Sequence, residues 1–144
     1  MIRTLLLSII MTFQSNSIDQ LLDQRASTEL IGTQKEWVEY AWQYGIKPEV
    51  GVCIAVADTG LGKKTDFKYN YGNVGRWKYE TPSEGIEAIY RTLSHKSGTL
   101  EDLSCYNGCK KGIYAESEYN WHHNVQTCLR GFYDYVPDTF NFKL

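Results

Sequence analysis

The chain has 144 residues, which leaves room for one domain with a modest core and not for two. Its 15 basic and 17 acidic residues balance to a formal net charge of −2 with no long run of either sign, which argues against a dedicated nucleic-acid surface. Eleven Tyr and four Trp are many for this length, and such side chains, apolar on the face and polar at the edge, suit both a small core and a surface that meets sugar rings.

Residues 1–17 read as a signal peptide. Arg3 supplies a positive start, residues 4–13 are an apolar stretch of ten, and Ser15-Asn16-Ser17 places small side chains at a cleavage point. Ten residues are too few to span a bilayer as a helix, and no other stretch is longer, so no stable membrane span is expected after signal removal. A buried N-terminal helix and an uncleaved anchor are the competing readings. The expected location is therefore periplasmic or extracellular.

Residues 18–32 are polar with some helical character, a lead-in to a domain at 33–144. Thr33-Gln34-Lys35-Glu36 has the pattern of a capping box, with Thr33 as N-cap and Glu36 reaching back. It opens a helix to about Tyr44 that shows Trp37, Tyr40, Ala41 and Tyr44 on one face, and Gly45 ends it. The next helix starts near Pro48 and runs to Asp58, apolar almost all round, as a central buried helix would be. Glycines break the pattern after Asp58, and residues 63–80 read as loop with room for a short hairpin. A second capping box, Thr81-Pro82-Ser83-Glu84, starts a helix to about Lys96 with Ile86, Ile89, Tyr90 and Leu93 as its core stripe. Residues 99–103 form a short helical turn. The last helix, roughly residues 118–133, carries Trp121, Val125, Cys128, Leu129 and Phe132 at helical spacing, which assigns Trp121 to packing. The fold class is mainly α.

Four cysteines, Cys53, Cys105, Cys109 and Cys128, fit an oxidising compartment and allow three pairings of two disulfides. Cys105 and Cys109 share a turn-like segment suited to local closure. Cys53 and Cys128 sit on the apolar faces of two helices, where they either bridge or pack as small hydrophobes. Cys105, Cys109, His122 and His123 have finger-like spacing, but there is no second short-spaced Cys pair, and adjacent His suit one tetrahedron poorly. No metal site and no cofactor is expected.

Asp58 stands out. A carboxylate at the end of an apolar helix lies near the negative end of the helix dipole and beside buried surface, and both disfavour ionisation. A carboxylic acid kept protonated near neutrality is what glycosidic cleavage requires, because the leaving oxygen takes a proton as it departs. The competing reading is a turn residue, since Asp is common in turns.

Pro48-Glu49-Val50 through Ala57-Asp58-Thr59-Gly60-Leu61-Gly62-Lys63 resembles the acid-bearing segment of glucosaminidases of the flagellar and autolysin type, glycoside hydrolase family 73, which are mannosyl-glycoprotein endo-beta-N-acetylglucosaminidase-like enzymes of the lysozyme-like superfamily. Tyr69-Asn70-Tyr71-Gly72-Asn73-Val74-Gly75, then Tyr79-Glu80-Thr81-Pro82-Ser83-Glu84-Gly85-Ile86, then Tyr114-Ala115-Glu116-Ser117-Glu118-Tyr119 are similar to the blocks that follow, in the same order over about residues 34–133.

The resemblance implies a lysozyme-like helical fold with a cleft for peptidoglycan or a related N-acetylated glycan, and no nucleic-acid partner. It implies Asp58 as general acid and Tyr114 as the residue that orients the acetamido group or stabilises positive charge. A second carboxylate would be Asp66 or Glu80, or the substrate's own acetamido group would serve instead. Asn70, Tyr71, Asn73, Trp77 and Tyr119 would contact the glycan, although Asn beside Gly is also what a tight turn requires, and Trp121 is a second stacking candidate whose helical spacing favours packing. Hydrolysis and lytic transglycosylation need the same acid, and a bacterial enzyme and a virion-associated phage lysin share these features. The family's acid is usually Glu. Asp reaches about 1.5 Å less far, and a misplacement of about 1 Å costs on the order of 100-fold in rate. A lysozyme-like glycan-binding or structural protein with little turnover is therefore the second expectation.

Overall fold

The computed structural model describes residues 2–117 and 119–144. Its helices are α1 (Ile2–Arg25), α2 (Gln34–Tyr44), α3 (Pro48–Thr59), α4 (Pro82–Ser94) and α5 (Asn120–Leu129), with tighter 3-10 turns at Thr28–Leu30, Leu100–Leu103 and Cys105–Asn107. The class is mainly α, as expected. Among the described residues there are no strands, only isolated bridges pairing Ile46 with Lys143, Thr99 with Asn141 and Ser104 with Ala115.

The core is built around α3, whose residues from Pro48 to Ala55 are all buried. Proline starts it and Gly60, at φ 58°, ends it in the left-handed conformation that glycine adopts without strain. The α4 helix crosses close to it because Gly51 has no side chain: a Cβ there would collide with the Tyr90 ring. The Tyr90 hydroxyl donates to the Pro48 carbonyl at 2.6 Å, and Trp37 of α2 meets the Tyr90 ring edge-on at 6.1 Å. On the opposite side a disulfide joins Cys53 of α3 to Cys128 of α5. A second disulfide closes the local Cys105–Cys109 loop.

Several local expectations are corrected. At Thr33 no cap forms: its hydroxyl donates to the Leu30 carbonyl at 2.6 Å and accepts from the Trp37 indole N–H, so the preceding turn has captured it. The second box does form at Thr81, which accepts from the Glu84 N–H at 3.2 Å, but Glu84 reaches back to the Glu80 N–H, one residue further than the pattern requires. The α4 helix ends at Ser94 rather than near Lys96, and α5 stops at Leu129 rather than Tyr133. The expected start of the last helix at residue 118 lies outside the described residues.

Residues 63–80 hold turns instead of a hairpin. Tyr69 and Asn73 adopt positive φ (56° and 46°), which coils the backbone where a strand would need it extended.

Residues 18–30 are part of the core and not a mere lead-in, because Ile18, Leu22 and Leu30 are fully buried. Helix α1, which supplies Ile18 and Leu22, carries Ile2, Leu5, Leu6, Ile9 and Ile10 exposed at its other end. Among the described residues, no helix is long and apolar enough to cross a membrane.

Candidate active site

Asp58 occupies the last turn of α3, and its carboxyl group is largely covered. The indole N–H of Trp121, in the first turn of α5, donates to Oδ1 at 2.8 Å. The other oxygen, Oδ2, is buried with no hydrogen-bond partner. Burial pushes the Asp58 pKa from its ordinary 3.8 up to about 7, and the Trp121 hydrogen bond pulls partly against that rise. The carboxyl is thus a proton reservoir near neutral pH, with one oxygen oriented and the other uncommitted.

The adjoining Thr59 ties α3 to the following loop. Its buried hydroxyl lies 2.8 Å from the Tyr71 carbonyl and 3.1 Å from the Ala55 carbonyl, and it accepts from the Gly62 N–H. Asn73, exposed on the loop, donates its side-chain amide to the Asp58 carbonyl at 3.3 Å. Tyr114 completes the group: its ring stacks on Trp121 at 5.7 Å and its hydroxyl donates to the Gly72 carbonyl at 2.6 Å. Gly72 permits this approach, since a Cβ there would strike the Tyr114 hydroxyl. The Tyr114 pKa is raised well above 10.0, by burial first and by the Asp58 charge second. Tyr114 is therefore a neutral hydroxyl with its proton engaged on the backbone.

Asp58, Asn73 and Tyr114 thus come together, with Trp121 as the link. The other expected site residues do not join them. Asn70 is 1% exposed, and its amide donates to the Val74 and Trp77 carbonyls while its Oδ1 accepts from the Val74 N–H, so it shapes the loop and offers nothing to a ligand. Tyr71 is also interior, its ring packed against Gly62 and Gly85. Asp66 and Glu80 are exposed, and neither side chain bonds to Asp58 or Tyr114 among the described residues. Trp77 and Tyr119 are exposed, at 69% and 59%, and free to meet a ligand; Tyr119 stacks on His123 at 5.3 Å. Cys105 and Cys109 are spent on each other, and His122 is buried against Tyr106 with Nε2 3.0 Å from Asp138, so these residues do not converge as metal ligands.

A groove of about 470 Å³ between α1 and α5 reaches α3 at Val56, but Asp58 does not line it. The carboxyl oxygen that would act is turned into the protein, not into this open space.

Thr59 and the bond from Trp121 to Asp58 are what sequence reasoning missed. Thr59 carried a faint signal as the small polar residue between the acid and its glycine. The bond from Trp121 carried none, because 63 residues separate it from Asp58 and helical spacing assigns it to the core, where it also is.

Trp121→Phe removes the donor and keeps most of the ring. The Asp58 titration midpoint, followed through its carboxyl carbon by NMR, should then move upward by about one pH unit, because the lost bond favoured the ionised form. An unchanged midpoint would mean that Trp121 does not control the acid.

Compared with protein families, curated proteins and solved structures, the chain matches none of them.

Proposed function

We propose that this protein cleaves β-1,4 linkages in the glycan strands of peptidoglycan, with Asp58 as the general acid. The observation that supports the reading is the Asp58 carboxyl itself, buried at the end of the central helix with a pKa near 7 and held by Trp121. Leaving-group protonation needs a carboxyl that still holds its proton at working pH. Tyr114 and Asn73 border the same point, the first as a wall and the second with an exposed amide for sugar hydroxyl or acetamido groups. Two disulfides and an apolar N-terminal stretch fit export, where this substrate lies.

The Asp58 proton reaches a glycosidic oxygen only after the groups around Oδ2 move aside. That covered oxygen, together with Asp in place of the Glu usual in the resembling family, favours a second reading: a glycan-binding protein of lysozyme-like fold with little turnover.

Incubation with purified peptidoglycan, followed by mass analysis of released fragments, separates the readings. Reducing ends mean hydrolysis and anhydro ends mean lytic transglycosylation. Asp58→Asn should abolish release while the protein still sediments with the glycan. Full release by that variant removes Asp58 from the mechanism. An inactive parent that gains release on Asp58→Glu supports the binding reading.

A further inference from the structure

Positive charge is concentrated in the segment that follows the candidate acid along the chain. Residues 63–78 contain Lys63, Lys64, Lys68, Arg76 and Lys78 against the single acid Asp66, a net +4 in a chain whose formal net charge is −2. All five basic side chains are exposed. Among the described residues none of them takes part in an ion pair; the pairs found use Lys35, Arg91, Lys110 and His122.

The Tyr79 N–H donates to the Lys68 carbonyl at 3.0 Å, which folds residues 68–79 back on themselves, and Asn70 clamps the turn between them from inside. The exposed Trp77 stands between Arg76 and Lys78. At the start of the segment, Arg25 and Lys63 line a groove of about 360 Å³ with Val56, Gly60 and Leu61 at the end of α3, and Asp58 itself does not line it. Unpaired cations on a fixed loop leave a local positive potential that selects an anionic ligand.

We propose that this basic loop, with the Arg25–Lys63 groove, binds the carboxylate-bearing peptide side chains of the glycan strand. The inference rests on the glycan reading of the site and adds the charge class of its substrate. A carboxylated glycan fits better than a nucleic acid. Single-stranded nucleic acids are held by successive stacking aromatics along a basic track, and here Trp77 alone stands well exposed among the loop's aromatic residues. The rest of the molecule is acidic, which repels a long polyanion but leaves a local carboxylate cluster welcome.

The test is co-sedimentation of the full chain with purified peptidoglycan at low and physiological NaCl. The same material with its carboxyls chemically amidated, and a single-stranded DNA, serve as comparisons. A variant combining Lys63→Gln, Lys64→Gln, Arg76→Gln and Lys78→Gln is measured beside the parent, with its thermal transition checked.

The parent should bind native peptidoglycan and lose affinity about tenfold or more on amidation of the ligand or in the variant, with the salt dependence flattened. Equal binding of native and amidated peptidoglycan overturns the proposal. So does parent-like binding by the variant, DNA bound as tightly as peptidoglycan, or no binding by the parent. Fragment release without charge dependence sinks this inference and spares the enzymatic reading. Charge-dependent binding without release does the reverse.

Discussion

Asp58→Asn is expected to be more stable than the parent at about pH 8 and close to it at about pH 4, a pattern set by proton linkage. In the folded protein the Asp58 pKa is about 7, against 3.8 for an ordinary Asp. Between those values the folded state holds a proton that the unfolded chain has released. The stabilisation from this group is therefore fully present below the unfolded value and is lost as pH rises through the folded one. Over that window the parent loses about 4 kcal/mol.

Asn cannot ionise and does not suffer this loss. Its Oδ1 still accepts from Trp121, and its amide N–H takes the unpartnered position that the protonated Oδ2 occupies in the parent, so the two proteins match at acid pH. Denaturation midpoints of both proteins at the two pH values give the answer, and the histidines cancel in the difference. A stability difference that does not change with pH would mean that Asp58 is not perturbed by burial. If Asp58 is the general acid, the same titration makes turnover fall as pH rises through about 7, since the acid form is the active one.

Replacing both Cys53 and Cys128 with Ala should cost about 4 kcal/mol, because the bond closes a long loop in the unfolded chain. The two residues are 75 apart in sequence and join the central helix to the last one. The Cys105–Cys109 pair, only four apart, restricts the unfolded chain far less, and its removal should cost about 2 kcal/mol. Urea denaturation of the two double variants checks the order, and a reversed order would refute it. The first variant should also disturb the site, since Cys128 anchors the helix that carries Trp121 to Asp58.

Much of the helical framework was legible because its determinants are local. Pro48 and Gly60 bracket α3, Gly45 ends α2 with φ 69°, and Thr81 caps α4 through contacts no more than three residues away. The apolar surround of α3 likewise marked Asp58 as a perturbed acid before any neighbour was known, because burial is the main cause of its shift.

Where two uses of one residue compete, tertiary structure decided. Thr33 had the sequence of a cap, but Leu30 and Trp37 took its hydroxyl. Asn70 had the chemistry of a sugar ligand, but the free carbonyls of a coiled loop claimed its amide. Trp121 fills the core as its spacing requires and in addition lends its one polar atom to Asp58, which only the packing of α5 against α3 makes possible. Periodicity, caps and local apolarity act within a few residues, so α2 to α5 and the resistance of Asp58 to ionisation could be read from the sequence, whereas the continuous α1 could not. Tertiary structure alone decided which polar groups remain free for a ligand, because a hydrogen bond made inside the fold by a distant backbone atom leaves no trace in the local sequence.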